Sequence, residues 1–398
     1  MPRSRSTSRF LMLVTFLAFV SIGFPDAVLG VAWPEMRLSF DRSLADVGFI
    51  LVSSGSGYFL SGILAGKAIE RFGVGRLLAI STSLVAAGLF GYAATPSLWP
   101  LLICAVLIGL GSGAIDTGLN FYASEHFSVT VMNWLHAFFG IGAMLGPFIV
   151  AGVFAAGGSW RLGYVIVASA IAAMGVVFVL TRNQWGDGAR HEDGAAAVPV
   201  RQVLRSSLAW MQILMFHVMA GIEAAAGLWT ATLMIERFDA SKGEAGLWAG
   251  FFWGAMAVGR LVLAPLSGDL DPRRLVQLGT FGILAGALLM SPDQKIVFQA
   301  GVLLFGLAMA PLFPTMMSLT PVRLGSGMAL HAIGFQVSAA TLGIVTIPTV
   351  GGILAERTDF VAIPIVMAIG AAILVALDTR LRRSVDRRRR AHQGSTAA

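Results

Sequence analysis

The chain has 398 residues, of which 56% are hydrophobic and only 12% are charged. Soluble domains average about 25% charged residues, so the composition excludes a water-soluble protein and indicates an integral membrane protein. The net charge of +7 does not indicate nucleic-acid binding, because its densest run, RLRRSVDRRRR (380–390), follows an apolar segment and suits a cytoplasmic anchor beside anionic lipid.

Apolar runs of membrane-spanning length recur along the whole chain. A spanning helix needs about 20 such residues, and we count twelve runs, which predict an all-α membrane protein with twelve transmembrane helices. The first run is too long for the core of a signal peptide and lacks an A-x-A-like cleavage site, so we expect it to be retained. The runs lie near residues 10–33, 46–69, 75–94, 98–122, 131–155, 161–181, 208–234, 245–266, 274–291, 296–318, 325–352 and 360–378.

One long polar stretch lies between the sixth and seventh runs and divides the chain into two halves. Of the 28 Lys and Arg residues, 21 fall in segments on the same side as the N-terminus and the other seven on the opposite side. The positive-inside rule therefore predicts a multi-pass protein of the cell (inner) membrane with both termini in the cytoplasm. We predict an N-terminal six-helix bundle at 1–182, a cytoplasmic inter-bundle loop at 183–206, a C-terminal six-helix bundle at 207–379 and a basic cytoplasmic tail at 380–398.

Short segments of the two halves repeat each other. LHA occurs at 135–137 and 330–332, in the fifth and eleventh runs, and DAVLGVAW (26–33) has a counterpart in EAAAGLW (223–229). GKAIERFGVGR (66–76) after the second run is loosely matched by GDLDPRR (268–274) after the eighth. These echoes indicate a duplicated six-helix unit, and parallel halves around a midplane cavity are a transporter plan.

The segment GKAIERFGVGR resembles the loop motif G-x-x-x-D-R-x-G-R-R between the second and third helices of the major facilitator superfamily. Gly66, Arg71, Gly73 and Arg76 fit the motif, and Glu70 replaces its Asp. The resemblance implies the major facilitator fold, with this loop as a salt-bridged hinge that holds the inward face closed. We assign these five residues to gating, together with the cation Arg260 near the end of the eighth run.

The segment IDTGLN (115–120) resembles the L-E-T-x-x-N of the fourth helix in the fucose–proton symporter (sugar permease) family, with Asp116 on the family's glutamate and Asn120 on its asparagine. Asp26, in FPDAVLG (24–30), falls near the family's essential first-helix aspartate. GIEAAAGLW (221–229) and GLAMAPLFPT (306–315) resemble further segments of that group. The resemblance implies a sugar-like substrate.

Three carboxylates lie well inside the apolar runs, namely Asp26, Asp116 and Glu223. Each costs about 2.5–3.5 kcal/mol if charged at the bilayer centre, and no Lys or Arg lies deep in a run to neutralise them. An acid that alternately binds and releases a proton resolves this cost, so we predict proton coupling at Asp26 and Asp116. Alternatively, Asp26 bonds backbone groups freed by Pro25, Asp116 pairs with a loop cation such as Arg71, and Glu223 forms an interhelical bond instead of binding substrate.

Amides, imidazoles and Trp rings in the runs supply the contacts that sugars need, which are hydrogen bonds to hydroxyls and a flat apolar face. We predict substrate binding by six residues, and for each the alternative is an interhelical or interfacial role. His136 and His331 occupy equivalent places in the two halves. The six are Asn120, Glu223, Trp229, His136, His331 and Gln336.

The leading hypothesis is a secondary active transporter, a symporter that takes up a sugar or sugar-like solute with protons by alternating access. A proton-driven efflux antiporter for drugs or metabolites is the alternative, favoured by GIGAMLGP (140–147), which resembles a fifth-helix motif of antiporters. A membrane receptor ranks third. We expect a monomer in membrane lipid that is not an enzyme, with a small-molecule substrate and protons as partners and with no cofactor, metal or nucleic acid.

Overall fold

The computed structural model describes residues 9–185, 199–266 and 270–396, and within them nothing is described of the side chains of Asp26, Val129, Thr130, Asn133, Ala264, Pro265, Leu266, Ser326, Leu330 and residues 386–396. These ranges contain fourteen α-helices. They are α1 (Arg9–Ser39), α2 (Val47–Phe72), α3 (Val74–Ala94), α4 (Leu98–His126), α5 (Val129–Ala155), α6 (Trp160–Thr181), α7 (Val200–Arg205), α8 (Ser207–Phe238), α9 (Lys242–Leu266), α10 (Pro272–Leu289), α11 (Lys295–Met309), α12 (Leu312–Leu324), α13 (Ser326–Arg357) and α14 (Ala362–Thr396).

The helices account for all twelve predicted spans. In the described residues, eleven spans are long and apolar enough to cross a membrane, and the ninth predicted span corresponds to α10. That helix has only 18 residues and begins with Pro272, Arg273 and Arg274, which lower its hydropathy. The all-α, multi-pass membrane fold predicted from composition is confirmed.

The helix α1 continues through the segment FPDAVLG, although this segment interrupts the apolar run. Pro25 and Pro34 both lie inside the 31-residue helix. A proline lacks the N–H that would bond the carbonyl one turn earlier, yet such residues are tolerated where neighbouring helices and side chains satisfy the freed groups. The backbone of Asp26 is therefore helical.

The tenth predicted span is broken into two helices. α11 ends at Met309 and α12 begins at Leu312, with Pro311 as its N-cap residue. Pro311 and Pro314 remove two backbone donors within one turn, which explains the break. The two helices together still form one span of 30 residues, Lys295–Leu324.

The predicted inter-bundle loop is ordered at both ends, and its residues 186–198 lie outside the described residues. Trp185 is 1% exposed, and its indole Nε1 donates to Thr181 Oγ1 at 3.0 Å. Its ring packs edge-on against Tyr122 of α4, with centroids 4.8 Å apart. At the other end, α7 forms one and a half turns and buries Val203.

The chain divides into two compact units. The first comprises Met1–His191 and Gly227–Pro265, and the second comprises Glu192–Ala226 and Leu266–Ala398. Helix α8 contributes to both. Each unit contains helices in backbone contact at glycine, such as Gly142 against Val20 in the first and Gly343 against His217 in the second. Such contacts are typical of helices that pack in lipid. The division into two six-helix bundles stays a prediction.

Candidate functional site

A hydrogen-bonded carboxylate lies in the C-terminal half of α4 in the first unit. Tyr58 Oη of α2 donates to Asp116 Oδ2 at 2.8 Å. Asn120 Nδ2 donates to Asp116 Oδ1 at 2.8 Å and to the Asp116 backbone carbonyl at 2.9 Å. All three side chains are half-buried. The structure therefore brings the predicted pair Asp116 and Asn120 together and adds Tyr58, which the sequence analysis missed.

Glycines on α2 and α4 set the position of Tyr58. A Cβ on Gly109 would lie 2.9 Å from the Tyr58 backbone nitrogen, and a Cβ on Gly113 would lie 2.8 Å from the Tyr58 carbonyl oxygen. Gly57 meets the α4 backbone in the same way, with a Cβ 2.9 Å from the nitrogen of Leu110. The two backbones can approach this closely only because these positions lack side chains. At this short separation of the two helices, the Tyr58 phenol on α2 reaches Asp116 on α4.

The alternative partner for Asp116, a loop cation such as Arg71, is not its hydrogen-bond partner among the described residues. Arg71 is exposed near the end of α2, and its guanidinium lies over the Phe72 ring, 5.7 Å from the centroid. Glu70 and Arg76 are also exposed. The gating role predicted for these residues stays a prediction.

Gly73 connects α2 directly to α3 within the loop motif. Its φ of 74° and ψ of 162° lie in a region that is almost restricted to glycine. Its N–H donates to the carbonyl of Ile69 at 2.8 Å and closes the last turn of α2. The motif glycine is thus required by the backbone itself. Gly66, by contrast, lies within α2 with open space where a Cβ would be.

Replacing Gly73 by Ala is expected to lower the free energy of unfolding by about 1–3 kcal/mol, because Ala must adopt the same strained backbone. Gly66→Ala is the matched control, and it should be neutral or stabilising by roughly 0.5–1 kcal/mol, since Ala suits a helix interior better than Gly. Thermal unfolding of the purified variants in detergent measures both. Equal melting temperatures for the two variants would contradict the structural role of Gly73.

The predicted residues His136 and Arg260 meet in the first unit. The Arg260 guanidinium donates from Nη1 to the backbone carbonyl of His136 at 3.4 Å, and the exposed His136 ring packs edge-on against Phe19 at 5.6 Å. Close to this contact, a Cβ on Gly140 would lie 3.1 Å from Ala257 Cβ. Arg260 therefore links α9 to the backbone of α5 by a hydrogen bond.

Two ion pairs join the C-terminal end of α1 to α8 and α9 in the first unit. Arg37 Nη2 lies 2.7 Å from Glu236 Oε1, and Lys242 Nζ lies 2.8 Å from Glu35 Oε2. All four side chains are partly exposed, so each pair is worth at most about 1 kcal/mol. These pairs could not be predicted from the sequence, because partners so distant in sequence give no local signal.

Gln336, a predicted substrate residue in the second unit, lies in a sealed polar cluster. Its Nε2 donates to Thr320 Oγ1 at 3.1 Å, and Thr320 Oγ1 lies 3.5 Å from Gln212 Oε1. The three side chains are at most 1% exposed. They join α8, α12 and α13, so the geometry favours the interhelical alternative for Gln336.

The other predicted substrate residues of α8 and α13 are divided between the two units. His331 is half-buried on α13 and Glu223 is half-buried on α8, both in the second unit. Trp229 is fully buried on the part of α8 that belongs to the first unit. His217, which precedes Glu223 on α8, is bonded to α13, with Nδ1 3.1 Å from the Ala339 carbonyl.

A buried acid on α14 of the second unit was also not predicted from the sequence. Asp378 on α14 is 1% exposed, and its Oδ2 lies 3.0 Å from Arg382 Nη2. Arg323 of α12, whose side chain is 5% exposed, lies 3.9 Å from the other carboxylate oxygen. Gln277 of α10 accepts from Arg382 Nη1 at 2.6 Å. Ion pairs thus join α12 to α14, and the hydrogen bond from Arg382 to the uncharged amide of Gln277 joins α14 to α10.

Within the part of the chain that the structure describes, no three His, Cys, Asp or Glu side chains lie close enough to hold a metal ion. The arrangement around Asp116 instead offers one carboxylate, a hydroxyl and an amide on two closely packed helices. These groups can bind a proton or the hydroxyls of a small solute.

Comparison with known proteins finds similarity over almost the whole chain. The glucose/mannose transporter GlcP of Bacillus subtilis (strain 168) is 21% identical over 384 residues, which are 94% of each chain. The sodium-dependent glucose transporter 1 of Homo sapiens is 21% identical over 401 residues, 90% of this chain and 76% of its own length.

Solved structures show the same fold. A mutant of the nucleoside transporter NupG matches with a TM-score of 0.74 at 13% identity, covering 94% of this chain and 99% of that one. A mutant of the E.coli fucose:proton symporter FucP matches with a TM-score of 0.65 at 16% identity, covering 95% and 99%. The family model described as Major Facilitator Superfamily matches residues 11–235 and 213–397. The chain therefore belongs to the Major Facilitator Superfamily, as the loop motif at 66–76 predicted.

Proposed function

We propose that the protein is a secondary active transporter that takes up a sugar or sugar-like solute together with protons. The observation that carries the sugar assignment is the similarity, over 94% of both chains, to a protein named as a glucose/mannose transporter. The predicted symport with protons rests on Asp116, which lies in the apolar helix α4 and is bonded by two neutral donors.

The acid Asp116 suits proton coupling because of what surrounds it. Among the described residues, its hydrogen-bond partners are Tyr58 and Asn120, and neither carries a charge that would hold it permanently ionised. A carboxylate that a cation neutralises has no need of a proton, whereas one without a cation gains from binding one in a low-dielectric site. Asp26 is the second proposed coupling acid, although its side chain lies outside the described residues.

The proposed cycle is alternating access. The two predicted bundles rock about a midplane site, protonation favours binding of the solute from outside, and release of both inside resets the cycle. We further propose that the protein is a monomer of the inner membrane with both termini in the cytoplasm. The proposed orientation rests on the distribution of Lys and Arg.

The alternative of efflux gains no support from the segment at 140–147. A Cβ on Gly146 would lie 2.6 Å from the carbonyl oxygen of Phe24, and Gly142 contacts the backbone of Val20 on α1. The small residues thus allow α5 to pack on α1, a need that importers and exporters share.

Uptake by proteoliposomes tests the proposed function. Purified protein is reconstituted and given labelled D-glucose, D-mannose, L-fucose and D-xylose, one at a time, with an inward proton gradient or an inward sodium gradient. We expect one or a few sugars to accumulate above the external concentration with the proton gradient alone. Accumulation driven by sodium alone would overturn the proton assignment. No entry of any of these sugars, even to the external concentration, would overturn the sugar assignment and favour export of other metabolites.

A further inference from the structure

Asp116 has two carboxylate oxygens with partners of different chemistry, and this difference identifies the oxygen that can take a proton. Asn120 uses the same amide nitrogen to reach Asp116 Oδ1 at 2.8 Å and the Asp116 backbone carbonyl at 2.9 Å. A backbone carbonyl can only accept, so this contact fixes the amide with its NH₂ group toward Asp116. Oδ1 therefore faces an N–H donor, and a proton bound to Oδ1 would find no acceptor in Asn120.

Oδ2 faces a group that can reverse its role. The Tyr58 hydroxyl lies 2.8 Å from it, and a hydroxyl can donate its proton or accept one through its lone pairs. When Asp116 is ionised, Tyr58 donates to Oδ2. When a proton from water binds Oδ2, Tyr58 keeps its own proton, turns that O–H away and accepts from the new Asp116 hydroxyl, so that the pair gains one proton in total.

We propose that Tyr58 is a positioning residue for Asp116. By its hydrogen bond, Tyr58 makes Oδ2 of Asp116 the oxygen that binds the proton, and Tyr58 changes from donor to acceptor in this bond when Oδ2 is protonated. The inference rests on the proposed role of Asp116 in proton coupling. The mounting of Tyr58 supports it, because Gly109 and Gly113 hold the Tyr58 backbone directly against α4. If α2 moved relative to α4, the hydrogen bond between the Tyr58 phenol and Asp116 would therefore break.

Among the described residues, Tyr58 is the one titratable residue in contact with Asp116. Helices α1, α2, α3 and α5 pack against α4, and the side chain of Asp26 on α1 is not described. Helix α2 also carries the loop motif that begins at Gly66, so the reversing bond joins Asp116 to the helix from which the proposed gate extends. The titratable residues on these helices and on α4 are Arg9, Asp26, Glu35, Arg37, Tyr58, Lys67, Glu70, Arg71, Arg76, Tyr92, Cys104, Tyr122, Glu125, His126 and His136.

Infrared difference spectroscopy of the purified protein during a pH titration tests this inference without any sugar. The carbonyl band of a protonated carboxyl group that vanishes in Asp116→Asn belongs to Asp116. In Tyr58→Phe we expect this band to shift in frequency and its midpoint to move to higher pH by about one unit, because the lost bond is stronger to the ionised acid than to the neutral one.

Tyr164→Phe is the matched control, since the buried Tyr164 hydroxyl has no hydrogen-bond partner within the described part of the chain, and its spectrum should match that of the wild type. If Tyr58→Phe does not fold, the same titration is carried out instead on the wild-type protein labelled with ¹³C-tyrosine. A tyrosine band must then change with the same midpoint as the Asp116 band and stay unchanged in Asp116→Asn.

An Asp116 band that is the same in Tyr58→Phe and wild type, or no tyrosine change in the labelled protein, would overturn the inference. The Asp116 band could depend on Tyr58 while sugar uptake by the wild type does not depend on the proton gradient. That result would support the inference and refute the proposed function. The two failures are therefore distinguishable.

Discussion

Replacing Asp116 by Asn should abolish concentrative uptake of sugar, so that the internal concentration at steady state only equals the external one. Asn cannot bind and release a proton, and uptake is then no longer driven by the proton gradient. Its carboxamide has nearly the same shape and can still accept from Asn120 and donate to Tyr58 Oη, the two groups that contact Asp116. Exchange of internal for external sugar, which needs no net proton movement, should continue.

The accumulation ratio and the rate of counterflow, measured in the same proteoliposomes, separate these two effects. Glu125→Gln is the control, because it makes the same chemical change at an exposed position near the end of α4 and should leave both quantities unchanged. If Asp116→Asn concentrates sugar as the wild type does, Asp116 is not a coupling acid, and Asp26→Asn becomes the decisive variant.

The second large effect is expected on stability, from Asp378→Asn. The carboxylate of Asp378 is 1% exposed and lies 3.0 Å from Arg382 Nη2 and 3.9 Å from Arg323 Nη2. Removing its charge leaves the guanidinium of Arg323, whose side chain is 5% exposed, buried without a counter-charge among the described residues. Breaking a buried pair in this way costs about 3–5 kcal/mol of the free energy of unfolding.

Unfolding by SDS in mixed micelles, followed by circular dichroism, measures that loss. Asp239→Asn makes the same change at an exposed position with φ of 49°, a conformation that Asn tolerates well, and it should unfold like the wild type. A loss in Asp378→Asn no larger than in this control would show that the cluster is solvated and does not brace α10, α12 and α14.

The membrane fold could be predicted from the sequence because lipid imposes a strict rule. Every spanning backbone must satisfy its own hydrogen bonds, so apolar length alone reveals the helices. The details that differ have local causes. Pro311 and Pro314 divide the tenth span, and the charges of Arg273 and Arg274 shorten the apolar part of the ninth.

The candidate site could be predicted only where its partners share a helix. Asp116 and Asn120 are four residues apart and face the same side of α4, so their contact follows from the sequence motif. Tyr58 could not be predicted, because it reaches Asp116 through the packing of α2 on α4. The glycines indicate a close approach of some helix there, but not which one.

Polarity alone also cannot distinguish a cavity from a contact between helices. Gln336 was predicted to bind substrate, yet it is sealed against Thr320. Asp378 lies at the end of the twelfth apolar run, where an acid is expected to face water, and it was overlooked for that reason. In both cases the deciding factor is the neighbouring helix, which composition and periodicity do not identify.

Sugar-driven proton movement shows whether protons enter together with sugar through Asp116. Proteoliposomes with an internal pH indicator, in sodium-free buffer and without an imposed proton gradient, are given the sugar that the uptake panel identifies. We expect internal acidification with the wild-type protein and none with Asp116→Asn. Entry of labelled sugar into wild-type liposomes without any change of internal pH would contradict it.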